Sequence, residues 1–514
     1  MEKTQIIILD FGSQYTQLLA RRIRELNVLA KVVNKTISAN KLKKYENLKG
    51  IILSGGPDSV YNNQQENFDK EILNLNIPIL GVCYGLQLIA HSFGGIVTSA
   101  DKQEFGKASL NIVDNNNLLF LNIPDNKKVW MSHSDHIEKM PNDFTVLANS
   151  ENSIAAIKHK TKSIYGIQFH AETTQTEYGS QIISNFIFDI AKCEKDWFVD
   201  QFITQKISEI KSVVKKEKII LGLSGGVDSS VAAVLLSKAV GKQLTCIFVD
   251  NGLLRDNEQE LIMSTYKKDF DINVRVINAQ ELFYKNLKGI TEPEAKRKII
   301  GKLFIDVFEQ AAKDLKGDHK FLAQGTIYSD VIESSKDNTA SKTIKSHHNV
   351  GGMPDDISFE IIEPLNQLFK DEVRAVGREL GLPDKIINRH PFPGPGLGIR
   401  VIGEVTKEKC DILRQVDKIF IDILTEENLY GEIDQALAVL LPIKTVGVMG
   451  DNRTYEYVAG LRCINTVDFM TATASHLPWS VIDKMVSKII NEVKRVNRVV
   501  YDVTSKPPGT IEWE

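Results

Sequence analysis

Residues 219–240 read IILGLSGGVDSSVAAVLLSKAV, and this stretch decides the fold. A short apolar strand runs into Ser224-Gly225-Gly226-Val227-Asp228-Ser229-Ser230, and an apolar run of helical length follows. Strand, glycine turn and helix open a βαβ unit, the building block of a parallel sheet covered by helices. Glycines let backbone amides close around a phosphate, serine hydroxyls add donors, and the helix N-terminus adds a favourable dipole. Asp228 would repel phosphate unless a cation stood between them, which makes it the candidate Mg2+ ligand. None of the Gly-Lys pairs in the chain precedes Ser or Thr, so the lysine-bearing phosphate loop is absent. The plain alternative is a Gly/Ser turn that only caps a helix. The setting between a buried strand and an apolar helix argues against it.

Outward from this loop the strand series continues through TCIFVD (245–250), VRVINA (274–279) and KFLAQG (320–325). EPEAKRKIIG (292–301) sets Lys296, Arg297 and Lys298 at a helix start, where solvation is the plain reading of a basic run. QGTIYSDVIES (324–334) puts Asp330 and Glu333 at a strand end. Residues 334–358 are polar and aperiodic, the pattern of a functional loop. We read them as a lid that brings Lys345 to the phosphates, rather than as a metal site on His347 and His348. HPFPGPGLG (390–398) reads as a Pro/Gly hinge, and a smaller α+β unit follows it.

Toward the N-terminus, IPILGV (77–82) runs through Gly81-Val82-Cys83-Tyr84-Gly85 into LQLIAHSF. Flanking glycines permit a sharp turn that lifts one side chain above the sheet. A helix N-terminus there favours a thiolate and can hold an oxyanion. Taken alone, a buried cysteine is usually a small hydrophobe. Here a candidate base follows at the end of strand YGIQFH (165–170). Period-two alternation sets His170 and Glu172 on one side of the chain, as an imidazole and its orienting carboxylate. Residues 182–216 read as helical, which sets a boundary near 195.

At 514 residues the chain is long enough for about three domains. We divide it at 1–195, 196–398 and 399–514. It carries 63 basic and 66 acidic residues, a formal charge of −3, which excludes a globally basic nucleic-acid coat. No apolar run approaches the ~18 residues that span a bilayer, and the opening run IIIL is too short for a signal peptide. The five cysteines are widely spaced without a CxxC, against a disulfide framework or structural zinc. The cytoplasm is the expected compartment, with no nucleic-acid or membrane partner.

GVCYGLQLIAHSFGG, LSGGPDSVY (53–61) and GIQFHAE (166–172) resemble the class I glutamine amidotransferases. That resemblance implies that Cys83 attacks glutamine, that His170 is base then acid, and that Glu172 orients it. It places Gly55, Gly56 and the Tyr84 amide at the oxyanion, with Gln87 and SHSDH (132–136) near the glutamine. Ala171 stands where that family usually has proline. The SGGVDSS loop is similar to the PP-loop of ATP pyrophosphatases, which implies that residues 224–230 bind ATP with Val249 near the adenine. Together with the tail KPPGTIEWE (506–514), these motifs make the whole chain resemble the glutamine-hydrolysing GMP synthetases. The resemblance implies two consecutive parallel-sheet α/β domains and a small α+β dimerisation domain, hence a homodimer. It also implies ATP as co-substrate with Mg2+, xanthosine 5′-monophosphate (XMP) as acceptor, and an XMP site of Arg297, Lys345, Gln435, Lys506, Thr510, Ile511 and Glu512. Arg297 and Gln435 of that set, with Phe392, Pro393 and Gly394 beside it, are weaker candidates. Ser329 departs from that family's usual proline. The alternative is a glutamine-dependent ATP pyrophosphatase that amidates another acceptor. Transfer to tRNA is opposed by the charge and by the lone Cys246 in the second domain.

Overall fold

In the computed structural model, residues 4–61, 68–114, 116–315, 319–336, 359–466, 469 and 471–514 are described. Most of the expected lid, with Lys345, His347 and His348, lies outside the described residues. The chain forms two compact units, which part between Phe202 and Ile203, with a short segment from Ile332 grouped with the first unit.

The first unit is built on a nine-stranded sheet. Its strands are β1 (Ile6–Asp10), β2 (Ala30–Asn34), β3 (Gly50–Leu53), β4 (Ile79–Val82), β5 (Ile96–Ile112), β6 (Lys127–Lys139), β7 (Phe144–Asn149), β8 (Ile154–His159) and β9 (Ile164–Ile167). The order is β2-β1-β3-β4-β9-β8-β7-β5-β6. The five strands from β2 to β9 are parallel, and the rest pair antiparallel. The parallel strands are continuous apolar runs because helices cover both faces, and Ile6, Ile51, Leu53 and Ile167 are fully buried.

The second unit holds a wholly parallel five-stranded sheet. Its strands β10 (Lys218–Gly222), β11 (Leu244–Asp250), β12 (Asn273–Asn278), β13 (His319–Ala323) and β14 (Glu360–Ile362) lie in the order β12-β11-β10-β13-β14. Successive connections leave β10 and β13 in opposite directions. That makes the carboxyl ends of these two strands a switch point, where open α/β sheets bind ligands. The SGG loop leaves β10 at this crevice. A smaller sheet of β15 (Gln435–Met449), β16 (Asn452–Asn465), β17 (Thr473–Ala474) and β18 (Val496–Tyr501) completes the unit. Ile220 and Phe308 of the parallel sheet and its helices share one core with Val401, Leu440 and Ile489 from the C-terminal part.

Three local expectations change. The helix expected over 182–216 is interrupted: Asn185–Ile190 is a π-turn, and the next helix is Val199–Val214. The amides of Asp196 and Trp197 are drawn to the Asn27 carbonyl, which outweighs helix propensity. Asp330 lies on the helix Tyr328–Lys336 rather than at a strand end, because β13 stops at Ala323. Lys296 lies on the helix Pro293–Lys313 but is fully buried instead of solvated.

One buried histidine sets a pH limit. The His390 ring stacks on Tyr430 at 3.7 Å between centroids. Nδ1 accepts from the Ala436 amide at 3.1 Å, so Nε2 carries the proton toward the Tyr430 carbonyl at 2.9 Å. Burial outweighs that carbonyl, and Arg255 adds to it, so the pKa falls to about 4. The unfolded ring takes a proton below pH ~6.5. Between those values the unfolded state binds more protons, so stability must fall as pH falls. Thermal melting of the second unit should therefore weaken steadily from pH ~6.5 to ~4. H390Q should flatten that slope, measured by calorimetry across the window.

Candidate active site

The turn at Cys83 is set by steric crossing. A Cβ on Gly85 would lie 2.2 Å from the Leu53 carbonyl oxygen, and one on Gly81 would lie 2.5 Å from Gly85 backbone atoms. Only bare backbone lets β4 turn this closely into the helix Tyr84–Ser92. Cys83 takes up the turn with φ 52° and ψ −105°, a region costing ~1–3 kcal/mol. Its amide is tied to the Ile167 carbonyl at 2.8 Å. The Tyr84 amide belongs to the first helical turn, whose N–H groups have no partner within the helix.

His170 lies three residues past the end of β9, so a turn rather than strand alternation makes the pair. Its Nδ1 meets Glu172 Oε1 at 2.7 Å, with both side chains almost wholly buried. The His170 amide donates to the Trp130 carbonyl at 2.9 Å, and its ring packs on Tyr15 at 4.7 Å. Burial disfavours the imidazolium. The Glu172 carboxylate and the Cys83 side chain override it and hold the pKa well above the usual range. The structure thus brings Cys83, His170 and Glu172 together in one buried cluster. Gly55 faces this group, since a Cβ there would lie 3.3 Å from His170 Cε1. Gly56 abuts the Phe11 carbonyl.

Gln87 is buried, and its Nε2 donates to the Asp135 carbonyl at 2.9 Å. Gln168 links it to the sulfur: Gln168 Oε1 accepts from Gln87 at 3.3 Å and Nε2 lies 3.6 Å from Sγ. The sequence reading missed Gln168, although a polar residue inside a buried apolar strand end is itself a signal. It also missed Glu104. That carboxylate accepts from Ser153 at 2.6 Å and Ser150 at 2.8 Å, and lies 3.2 Å from His133 Nε2. Burial alone would raise its pKa, yet His133 and the two serines lower it to about 2. This anchors the SHSDH segment of β6, whose Ser132 carbonyl lies 3.7 Å from Sγ.

In the second unit the loop after β10 is cross-braced. Ser224 and Ser229 hydroxyls lie 3.0 Å apart, and the Ser229 and Ser230 hydroxyls donate to the Gly226 carbonyl at 3.1 and 2.6 Å. Val227 begins the helix Val227–Val240, and Val249 is buried near the end of β11. Gly325, just after β13, closes against the loop, since its Cβ would lie 3.4 Å from the Ser229 amide. Asp228 Oδ2 accepts from Lys370 Nζ at 2.6 Å. Lys370 was missed because it arrives from another helix, Lys370–Glu379. Among the described residues Asp228 Oδ1 is buried without a hydrogen-bond partner. That unmet hard oxygen on the loop after β10 fits Mg2+, which takes few protein ligands and keeps water and phosphate for the rest.

The tail residues converge unevenly. Glu512 takes Arg400 on both oxygens at 2.8 and 3.1 Å and Gln435 Nε2 at 2.8 Å. The Thr510 hydroxyl donates to the Glu512 carbonyl, and Arg297 donates to the Glu514 carbonyl. Ile511 lies half-buried between them. Lys506 stands elsewhere, on the Phe469 carbonyl at 2.7 Å. The Phe392 ring carries the guanidinium groups of Arg255, Arg400 and Arg389 at 4.8, 4.9 and 5.9 Å.

Three family models match the chain. They are glutamine amidotransferase class-I over residues 7–190, NAD synthase over 198–297 and GMP synthase C terminal domain over 422–513. Fold and matches define a class: a class I glutamine amidotransferase fused to an ATP-using PP-loop enzyme. The chain is 63% identical over 514 residues, 100% of both chains, to the glutamine-hydrolyzing GMP synthase of Mesoplasma florum. The corresponding values are 57% over 514 residues and 100% of both for Fusobacterium nucleatum, and 55% over 510 residues and 99% of both for Spiroplasma kunkelii. The chain belongs to the glutamine-hydrolysing GMP synthase family.

E172Q should keep the fold and lower glutaminase turnover by about 100-fold or more, because the imidazole loses its orienting charge. Glutamate release, measured beside ammonium-driven synthesis that stays unchanged, checks this.

Proposed function

We propose that this protein makes GMP from XMP, using ATP and the amide nitrogen of glutamine. The observation that carries the reading is a Cys-His-Glu triad and a PP-loop in one chain that matches named GMP synthases from end to end. The match to the C-terminal GMP synthase domain favours XMP over another acceptor.

In the first unit Cys83 Sγ attacks the glutamine carboxamide, and its proton passes to His170. The oxyanion forms beside the Tyr84 amide and Gly55. His170 returns the proton to the departing nitrogen, so ammonia leaves and a thioester remains. Water, activated by the same imidazole, then releases glutamate and restores the thiol. Glu172 holds the ring throughout. In the second unit the Ser224–Ser230 amides and hydroxyls bind the ATP phosphates. Mg2+ held by Asp228 would neutralise phosphate charge. The C2 oxygen of XMP attacks the α-phosphorus and pyrophosphate leaves. Ammonia then attacks C2 and AMP leaves. Arg297, Gln435, Lys506, Thr510, Ile511 and Glu512 would hold XMP, with Lys345 approaching from the lid.

We further propose the division 1–195, 196–398 and 399–514, a cytoplasmic location and a homodimer. No helix among the described residues is long and apolar enough to cross a membrane. The dimer reading is supported by apolar side chains exposed on β15 and β16: Ile443, Val446, Val448 and Tyr455. A second copy is an occupant that would bury such a patch.

Incubation with XMP, ATP, Mg2+ and glutamine should give GMP and AMP in equal amounts on chromatography. C83A should lose the glutamine-driven product and keep the ammonium-driven one. AMP without GMP would sink the XMP assignment, and ADP in place of AMP would sink the loop assignment. Glutaminase turnover should rise when XMP and ATP are added. Light scattering should report twice the chain mass, falling toward one chain mass in V448D.

A further inference from the structure

Behind the phosphate loop lies a buried ion pair that the reaction as derived above does not use. Arg389 NH1 donates to the Gly225 carbonyl at 3.1 Å and to Glu258 Oε1 at 2.8 Å. The other oxygen of Glu258 accepts the Arg255 amide at 3.1 Å. The side chains are 14% and 3% exposed, and the Arg389 guanidinium lies over the Phe392 ring at 5.9 Å. Gly225 has φ +76°, and a Cβ there would lie 2.7 Å from Glu258 Oε1. The loop residue, the acid and the base are therefore packed in mutual contact.

We propose that Arg389 and Glu258 are positioning residues for ATP: they clamp the Gly225 carbonyl from behind and so aim the loop's amides at the phosphates. This rests on the reading of residues 224–230 as the ATP loop. In a trans peptide the carbonyl and the following N–H point in opposite directions. Drawing the Gly225 carbonyl back toward Arg389 therefore turns the Gly226 N–H forward. Among the described residues that N–H reaches the Ser224 hydroxyl alone, at 3.3 Å. A cation on the carbonyl also polarises the peptide and strengthens its N–H as a donor. Glu258 cancels the guanidinium charge, so the pair sets loop geometry and offers phosphate no net charge of its own. Its effect should appear at ATP and not at the acceptor.

The test is ammonium-driven GMP synthesis by the full chain, with KM for ATP and for XMP measured separately. R389A should raise the KM for ATP by about tenfold or more, the loss of a charge-assisted hydrogen bond, with the KM for XMP within about twofold. Added guanidinium should restore the R389A ATP KM, and R389K should lie near the wild type. E258A, which frees the guanidinium to leave the carbonyl, should shift the same constant in the same direction. An unchanged ATP KM, equal shifts for both substrates, or a loss that guanidinium does not restore would overturn the clamp. If R389A does not fold, R389Q is judged by the same criteria. D228N separates the two layers of inference. A D228N protein with wild-type ATP dependence removes the loop reading itself, whereas an impaired D228N beside a normal R389A removes only the clamp.

Discussion

Arg400 is fully shielded from water, and much of the second unit is arranged around that fact. A buried guanidinium costs several kcal/mol unless its charge and donors are met. Two of its nitrogens meet Glu512, the third lies 3.7 Å from Asp417, and Phe392 offers its ring face. Removing either acid would strand a buried charge, which is far costlier than never having built the pair. The partner comes from the third-last residue of the chain. The tail is thus part of the core, held there by a cation two residues past the Pro/Gly stretch. Phe392, inside that stretch, also carries Arg389, which reaches the phosphate loop. One desolvated charge therefore orders the tail, the Pro/Gly stretch and the ground behind the loop.

The first unit depends on a steric constraint instead. Strand β4 and its helix cross β3 so closely that only bare backbone fits at Gly85. Cys83 is forced into a left-handed conformation as a result. Strain of this kind persists only where the surroundings over-determine it. Here they do: the Cys83 amide is fixed by β9, and the helix is buried along most of its length. The thiol is consequently presented at a fixed place, and the turn after β9 brings His170 to it.

Both reactive loops were legible in the sequence because each is local. Strand, glycine turn and helix lie within about twenty residues, and the patterns that encode them are short-range. His170 and Glu172 are two residues apart, so their partnership was readable even though the geometry behind it was not: a turn, not the strand pleat, makes the contact. Illegible parts come from far along the chain. Lys370 and Arg389 reach the loop across 142 and 164 residues, and no periodicity reports such a meeting. The interrupted helix near 190 shows the same limit. Its sequence contains no Pro or Gly to mark a stop, and the break is made by a backbone carbonyl at Asn27, outside the segment.

The run Lys296-Arg297-Lys298 shows why composition alone could not decide burial. Neighbouring positions on a helix point about 100° apart, so three identical charges meet three environments. Lys296 points into the core, where its ammonium meets the Val401 carbonyl at 2.9 Å and the Glu514 carboxylate. Arg297 turns to the Glu514 backbone, and Lys298 stays in solvent with only a 3.7 Å approach to Glu294. Surface solvation holds for the last of these alone. What separates them is the tail, which ends in two acids spaced to meet Arg400 and Lys296. Glu512 therefore serves the fold before any nucleotide arrives. A substrate that uses the tail must bind to groups whose charges are already balanced, which leaves backbone amides, Lys506 and Arg297 as the donors with capacity to spare. Closure of the core thus engages the tail's carboxylates first, and any ligand of the tail meets them already paired.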